Sequence, residues 1–270
     1  MAPAPPAAVR QRAELAGYRD LWRAAPAELA ALHGIAAIDV AGGACLACVS
    51  QAGSPMLNHA VGVGVTERAD DDALDRIERF YTGLGVPYTI AAAPAAGDLA
   101  ARLQARGYST VRPWMTFHRE AGPAPAPDTG LRMVEAGPGT AAAFGGIVAT
   151  AFEMPPEFSA WLAAVPGRPG WHCLLALAGD VPVGAAALFV EGDAGWFTFG
   201  ATLPEHRGLG AQGSLFTERV RRANELGLRH LVTETGAPVG DERPGPSYRN
   251  MLRYGFAEVE LRPNYSSPAS

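Results

Sequence analysis

The most informative stretch of the sequence is Gly200-Ala-Thr-Leu-Pro-Glu-His-Arg207-Gly208-Leu-Gly210-Ala-Gln212. It joins a predicted strand to a predicted helix over about residues 209–226, whose apolar side chains recur at helical spacing. Glycines at such a junction let the backbone approach a ligand closely. The free N–H groups of the first helical turn point to one place, with the positive end of the helix dipole behind them. The segment is therefore a candidate binding site for an anion such as a diphosphate.

Strand and helix patterns alternate on both sides of this segment, which indicates a mixed α+β protein. In the second half we predict strands at 131–135, 172–178, 181–190, 195–201, 230–234 and 256–262, and further helices at 140–152, 156–163 and 247–253. In the first half we predict one or two helices over 9–32, interrupted at Pro26, helices from Asp70 and over 98–105, and strands at 35–40, 45–49, 59–65, 86–91 and 108–118.

A proline-rich stretch at residues 120–130 separates the two halves, because three alternating prolines support neither a helix nor a central strand. We therefore predict a first domain over 1–122, a linker over 123–130 and a second domain over 131–270. Leu103-Gln-Ala-Arg-Gly107-Tyr108 is similar to Leu252-Arg-Tyr-Gly255-Phe256. Each is a helix end, a glycine, an aromatic residue and a strand, which suggests duplication of one unit.

The 200–212 segment resembles the acetyl-CoA-binding signature of the GNAT family of N-acetyltransferases, (Gln/Arg)-x-x-Gly-x-(Gly/Ala), after a strand that ends in proline. Arg207 and Gly210 match, whereas Gln212 stands where glycine or alanine is usual. Residues 247–256 resemble the closing helix and Gly-Phe junction of that family. The resemblance implies two GNAT-like domains in tandem, each a mixed, mostly antiparallel sheet flanked by helices, with a degenerate first copy that shapes the acceptor cleft.

By the same resemblance, acetyl-CoA is the cosubstrate, and an acetyl (acyl) group moves to an amine of a small-molecule acceptor. The implied pantetheine contacts are the backbone groups of Ala201, Thr202 and Leu203. The diphosphate would lie in a cradle formed by Arg207, Gly208, Leu209, Gly210, Ala211 and Gln212. Asn250 is a further candidate for a hydrogen bond to the cofactor.

The reaction needs a base for the acceptor ammonium and an acid for the leaving thiolate. The usual acid of the family is a tyrosine four residues before the junction glycine, a position that holds Met251 here. We predict that Tyr248 replaces it, with Tyr254 as the alternative. For the base we predict Glu234, at the end of a strand, with Glu153 as the alternative.

Other interpretations stay open at this point. The missing tyrosine favours a regulatory or repurposed CoA-binding protein without N-acetyltransferase activity. A glycine-rich turn that binds nothing would leave only an interaction module. The spacing of Gly208, Gly210 and Gly213 also fits a Rossmann dinucleotide site, but the strands before it have the pattern of an antiparallel meander.

Composition argues against several functions. The net charge is −5, and the basic residues are all arginines spread along the chain, so we expect no nucleic-acid partner. The cluster Arg219, Arg221 and Arg222 is predicted to lie on a solvated helix face with Glu218 and Glu225. The absence of lysine excludes lysine nucleophiles.

Three cysteines suggest neither a disulfide framework nor a metal site. Cys45 and Cys48 form a CxxC pair, but on a predicted strand residues three apart point to opposite faces. No signal-peptide pattern or apolar run of membrane-helix length is found, so we expect a cytoplasmic protein without a membrane partner.

Overall fold

One mixed sheet runs through both halves of the protein. A computed structural model describes residues 7–125, 127 and 129–268, and within them eleven strands form this sheet. Along the sheet the order is β1-β2-β3-β4-β11-β5-β10-β9-β8-β7-β6. The strands are β1 Ile35–Val40, β2 Gly43–Cys48, β3 His59–Val61, β4 Thr89–Ala91, β5 Ser109–Glu120, β6 Arg132–Glu135, β7 Trp171–Ala178, β8 Val181–Glu191, β9 Ala194–Thr202, β10 His230–Gly236 and β11 Ala257–Ser266.

Helices cover both faces of the sheet, which confirms the predicted α+β class. The α-helices of the described residues are α1 Ala7–Arg23, α2 Ala27–His33, α3 Asp71–Leu84, α4 Leu99–Ala105, α5 Ala141–Ala151, α6 Phe158–Ala163, α7 Ala211–Glu225 and α8 Pro246–Arg253. The buried side chains of α1, α5 and α6 share one core on the first face. On the second face, α3 and α4 pack over the first half, and α7 and α8 pack over the second.

The two halves exchange their last strands at the centre of the sheet. Strand β5 follows α4 of the first half, yet it pairs with β10 and β11 of the second. Strand β11 follows α8 of the second half and pairs with β4 of the first. Each half therefore completes the sheet of the other, and the division at residues 122 and 131 stays a prediction. Residues 126 and 128 of the predicted linker lie outside the described residues.

The predicted repeat has the same turn in both halves. After α4, the Tyr108 N–H donates to the Leu103 carbonyl at 3.0 Å, and after α8 the Phe256 N–H donates to the Met251 carbonyl at 3.0 Å. The glycine within each turn has φ of 82° or 80°, a left-handed conformation that glycine adopts without strain. The turn directs each chain from its helix into the exchanged strand.

Helix α3 illustrates how local sequence sets an element. Its N-cap is Asp70, whose carboxylate accepts the Ala73 N–H at 2.9 Å. Its apolar side chains Leu74, Ile77 and Tyr81, which recur at helical spacing, are buried. The helix ends at Gly85, which has φ 67°. The start of the helix at Asp70 matches the sequence prediction.

Two strands of the first half are shorter than predicted. Strand β3 stops at Val61, where Gly62 and Gly64 adopt positive φ values of 73° and 82°. Strand β4 begins only at Thr89, and Pro87 lies just before it without an N–H group to pair. The glycines and the proline therefore end these strands earlier than the apolar residues of the segments predict.

The cysteines are buried and unpaired. Cys45 packs in the core under α3, and Cys48 packs in the core under α1, so the two sulfurs face opposite sides of β2 as predicted. Among the residues that the structure describes, His, Cys, Asp and Glu side chains form no cluster able to hold a metal. No helix in that part of the chain has the length and apolarity to cross a bilayer.

Candidate functional site

Strands β9 and β10 pair over only part of their length. Their parallel register runs from His230 opposite Ala194 to Val232 opposite Trp196, although both strands continue beyond it. The later part of β9 keeps its antiparallel bonds to β8 on its other edge. Residues 201–203, predicted to contact pantetheine, therefore have one edge bonded to β8 and no strand partner on the other within the described residues. An extended ligand could pair with that open edge.

A bulge interrupts β9 next to this open edge. Ala201 pairs with Ala185, but Thr198 pairs with Ala187, so two residues of β9 lie opposite one residue of β8. Phe199, inside the bulge, has φ of 55°. A side chain at Gly200 would meet the Gln212 amide oxygen at 3.1 Å. The bulge thus brings strand backbone close to the first turn of α7.

The turn between β9 and α7 presents backbone N–H groups to solvent. Gly208 and Gly210 have φ of 91° and 81°, and both are exposed. Gly210 is the N-cap of α7 and provides no side-chain cap. The first helical bond runs from the Ser214 N–H to the Gly210 carbonyl at 3.1 Å, and no acceptor among residues 7–125, 127 and 129–268 takes the N–H groups of 208–213. Those groups and the helix dipole suit an anion.

The chain that leads into β6 lies beside this helix end. The Thr129 hydroxyl is 2.9 Å from the Ser214 hydroxyl. A side chain at Gly210 would meet the Thr129 methyl group at 2.5 Å. Glycine at 210 is therefore needed for two reasons, the left-handed backbone and the close approach of Thr129.

Gln212, the departure from the family signature, lies along β9. Its side-chain amide donates to the Thr202 hydroxyl at 3.2 Å. The longer side chain is therefore held against the strand at the open edge, and the backbone N–H of the residue still belongs to the first turn of α7. This placement keeps the donor that a diphosphate would use.

Arg219 is buried, so the prediction of a solvated face is wrong for this residue. Its side chain is sandwiched by the rings of Phe197 and Phe216, at 4.5 and 4.7 Å from its guanidinium carbon. Burial lowers its pKa to about 9. The solvated interpretation holds for Arg221, which pairs with Glu218 and with Glu225. A spacing of four residues from Leu215 to Arg219 and on to Ala223 was the missed signal, because both neighbours are core residues.

The guanidinium of Arg219 holds the bulge in place. Its Nη1 donates to the carbonyls of Ala187 on β8 and Thr198 on β9, both at 3.3 Å, and its Nε donates to Leu215 at 3.1 Å. No described group accepts from Nη2, which would lie 3.9 Å from a side chain at Gly200. A positive charge without a carboxylate partner therefore lies beneath the bulge.

Glu234, the predicted base, lies on the opposite face of the sheet and is half-buried. Its two carboxylate oxygens accept the Trp196 indole N–H at 3.1 and 2.9 Å. Burial raises the pKa of Glu234, and the charge of Glu14 raises it further, against the opposing effect of Arg262. Glu14 and Arg262 form a two-pronged ion pair at 2.8 and 3.0 Å. The two residues are 248 positions apart, so no local sequence pattern predicts the pair.

A cavity opens beside Trp196 on the same face. It lies between α1, the α5–α6 segment and β9, and holds about 560 Å³ counted out to its open mouth. Leu21 and Trp22 of α1, Phe152 and Trp161 of α5–α6, and Trp196 and Phe199 of β9 form most of its wall. Glu153, the alternative base, follows Phe152 at the mouth, where it is exposed with φ of 53°.

Helix α8 places its two tyrosines differently. Tyr248 is buried against Phe117, with ring centroids 4.8 Å apart, and Met251 is buried in the same core. Tyr254 stacks on Phe216, and a side chain at Gly213 would meet its hydroxyl at 2.1 Å. The hydroxyl that reaches the first turn of α7 is therefore that of Tyr254. The half-buried Asn250 side chain makes no hydrogen bond to any described group.

The corresponding helix end of the first half is closed by acidic side chains. Asp70 caps α3, and Asp71 and Asp72 occupy its first turn. Arg102 of α4 and Arg106, the residue that follows this helix, pair with Asp71 at 2.9 and 3.2 Å. Negative charge thus lies where a diphosphate would need N–H donors, in agreement with a degenerate first copy.

No protein-family model and no curated protein matches the sequence. Solved structures are similar over the whole chain. A GCN5-related N-acetyltransferase from Kribbella flavida is 19% identical, with a TM-score of 0.67 over 99% of this chain and 98% of that one. One from Sphaerobacter thermophilus is 18% identical, with a TM-score of 0.61 over 100% and 96%. A tandem GNAT protein from the clavulanic acid biosynthesis pathway is 14% identical, with a TM-score of 0.58 over 84% and 80%.

Proposed function

We propose that this chain, which has the GNAT fold in a tandem arrangement, transfers an acetyl (acyl) group from acetyl-CoA to an amine of a small molecule. The observation that carries the proposal is the exposed turn at Gly208–Gly210, whose N–H groups have no described acceptor at the positive end of α7. This turn lies next to the open edge of β9. The N–H groups of the turn would bind an anionic group, and the open edge of β9 would pair with an extended chain attached to it.

The chain's own residues fit acetyl-CoA as cosubstrate. The backbone from Gly208 to Gln212 would hold the diphosphate, with the exposed Arg207 beside it. The open edge at residues 201–203 would pair with the pantetheine amides. Bound there, the cofactor supplies an acyl thioester, whose carbonyl carbon is the electrophile.

Two side chains at and behind the cavity wall suit the proton transfer that this reaction needs. The acceptor amine must lose a proton before it attacks, and Glu234 remains the proposed base. Trp196 separates its carboxylate from the cavity, so the proton would need a relay. Tyr18 lines the cavity, and we propose its hydroxyl as the relay. Burial raises the pKa of Tyr18, and the charge of Glu234 raises it further.

We propose two donors close to the bulge, one for the oxyanion that forms on the acyl group and one for the thiolate that leaves it. When the amine nitrogen attacks, the carbonyl oxygen becomes an oxyanion, and Nη2 of Arg219 is the proposed donor to it. When the carbon–sulfur bond breaks, the thiolate takes a proton and the new amide nitrogen releases its extra proton, so the net reaction frees the one proton that the acceptor ammonium lost. For this step we propose Tyr254 in place of Tyr248, because its hydroxyl lies at the first turn of α7.

A second candidate is a CoA-binding regulator without transferase activity. Met251 favours it, because the position that usually carries the acid is an apolar core residue. The two functions differ in the fate of the bound cofactor. A regulator binds acetyl-CoA and keeps it intact when amines are added, whereas a transferase releases free CoA thiol.

Thiol release from acetyl-CoA over a panel of primary amines tests the transferase. We expect amine-dependent release in the native chain, and a loss of about 100-fold in kcat in Tyr254→Phe with an unchanged Kd for acetyl-CoA. Tyr248→Phe is the matched control and should retain kcat. Silence over the whole panel with acetyl-CoA bound would favour the regulator, and absence of acetyl-CoA binding would exclude both.

A further inference from the structure

On the basis of the proposed function, we propose that the acceptor is a primary amine carrying an apolar group of about the size of one ring, and that the cavity beside Trp196 binds this group. The wall is built from aromatic and aliphatic side chains, including Trp22, Trp161 and Trp196. The enclosed part of the cavity is about 80 Å³, which limits the group that it can hold to a small one.

The indole N–H groups of the wall are already hydrogen-bonded within the protein. The Trp22 indole N–H donates to the Ala47 carbonyl at 3.1 Å, and the Trp161 indole N–H donates to the Leu21 carbonyl at 2.7 Å. The Trp196 indole N–H donates to Glu234. All three tryptophans therefore offer ring surface to a ligand and no free donor.

Polar acceptors would lose hydrogen bonds in this cavity. Besides the tryptophans, only Tyr18 and Thr198 bring polar side-chain atoms to the wall. A sugar or a polyamine has more polar groups than these two hydroxyls can satisfy, and a buried polar group without a partner disfavours binding. A single ammonium is different, because aromatic rings attract cations. The wall therefore favours a molecule that has a single amino group attached to an apolar group.

The cavity lies where such an amine could meet the thioester. Thr198 and Phe199 belong to both the cavity wall and the bulge of β9. The next residue, Gly200, approaches Gln212 of α7 on the opposite face. An acceptor in the cavity and an acyl group at the open edge of β9 would thus approach one another at the bulge.

The first half supplies part of this specificity. Tyr18 and Trp22 come from α1, and Met56 and Leu57 come from the segment before β3. The half whose own helix end is closed by acidic residues therefore forms one wall of the acceptor site. Its apolar side chains line the cavity together with those of Phe152 and Met154.

Steady-state kinetics with matched amines test the inference. With the full chain and saturating acetyl-CoA, we expect kcat/KM for 2-phenylethylamine to exceed that for ethanolamine and for glucosamine by at least about tenfold. Equal or better turnover of the polar amines would overturn the inference and leave the proposed function standing. Failure to bind acetyl-CoA would instead refute the proposed function.

Binding to the cavity has its own readout, independent of catalysis. Titration of the full chain with 2-phenylethylamine should change the tryptophan fluorescence with saturation, whereas ethanolamine at equal concentration should not. Phe152→Ser alters an exposed wall residue and should raise the Kd about tenfold. Leu32→Ser, outside the wall, is the matched control. A fluorescence response that is unsaturated, or that is the same in both variants, would overturn the inference.

Discussion

The indole N–H of Trp196 donates to both carboxylate oxygens of Glu234, at 3.1 and 2.9 Å. Trp196 lies at the last paired position of β9 and β10, and Glu234 lies two residues beyond the end of that pairing. One side of this contact is the cavity wall, and the other is the buried ion pair of Glu14 with Arg262. The position of the Trp196 ring in the cavity wall therefore depends on Glu234, whose pKa in turn depends on the charges of Glu14 and Arg262.

Glu234→Gln should make the protein more stable at high pH. Burial raises the pKa of Glu234 above its ordinary value of 4.5, so the folded chain binds the proton more tightly than the unfolded chain does. The native chain therefore loses stability as the pH rises above the unfolded-state pKa, and glutamine, which mimics the protonated form, removes this loss. We expect a gain of at least about 1 kcal/mol near pH 8, since a tenfold difference in proton affinity corresponds to about 1.4 kcal/mol.

Urea denaturation across a series of pH values checks this prediction. The unfolding free energy of the native chain should fall toward high pH more steeply than that of Glu234→Gln. Glu67→Gln, at an exposed position, should follow the native curve. Parallel curves for all three proteins would show that Glu234 does not titrate as we infer.

Breaking the Glu14–Arg262 pair on one side should destabilise the fold. Both side chains are 2% exposed, and they join the first helix to the last strand. Glu14→Gln leaves the Arg262 charge buried without its partner, which costs about 3 kcal/mol. Replacing both residues with apolar ones should recover most of that loss. Arg132→Gln, which breaks the exposed pair with Asp180, should cost less than about 1 kcal/mol.

Thermal and urea unfolding of these variants give the comparison. A loss in Glu14→Gln no greater than that in Arg132→Gln would mean that the pair across the two halves contributes nothing. A double variant as unstable as the single one would show that packing, rather than unpaired charge, governs the site.

Gly213→Ala should lower stability through its contact with Tyr254. The added methyl group would lie 2.1 Å from the Tyr254 hydroxyl, although alanine favours a helix in general. We expect a loss of about 1–3 kcal/mol. Tyr254→Phe in the same chain removes the hydroxyl and should restore part of it. Gly146→Ala in α5, where nothing lies within 4 Å of the new methyl group, should be neutral or stabilising.

None of the three cysteines should react with a disulfide reagent in the folded protein. Burial raises the pKa of Cys45 to about 12, and it raises the pKa values of Cys48 and Cys173 as well. The reactive thiolate is therefore scarce and enclosed. Absorbance should show three reactive thiols after unfolding and none before. Fast reaction of a native thiol would contradict the burial, and it would add background to the thiol-release assay.

The parts of the site that sequence could predict are local ones. The turn at 208–210, the helix after it and the start of α3 at Asp70 all depend on residues within a few positions of each other. The opposite facing of Cys45 and Cys48 comes from the period of a strand in the same way.

The features that sequence could not predict depend on partners far along the chain. Strand β5 pairs with β10 and β11, more than a hundred residues away, and nothing in β5 itself specifies that exchange. The ion pair of Glu14 with Arg262 joins opposite ends of the chain. Arg219 is spaced four residues from core positions on either side. Its charge nevertheless led to the prediction of an exposed side chain, because arginine is rarely buried without a carboxylate.

Calorimetric titration of acetyl-CoA into the native chain and Gln212→Glu tests the anion site most directly. A carboxylate in the first turn of α7 interacts favourably with the helix dipole, but it repels a diphosphate. We expect saturable binding to the native chain with a Kd on the order of micromolar, and a Kd at least about tenfold higher in Gln212→Glu, which should unfold at the same or a higher temperature. Gln212→Met, which loses the same hydrogen bond without adding charge, should stay close to the native Kd. An absence of heat at about millimolar acetyl-CoA, or equal Kd values for the native chain and Gln212→Glu, would contradict a diphosphate site at this helix end.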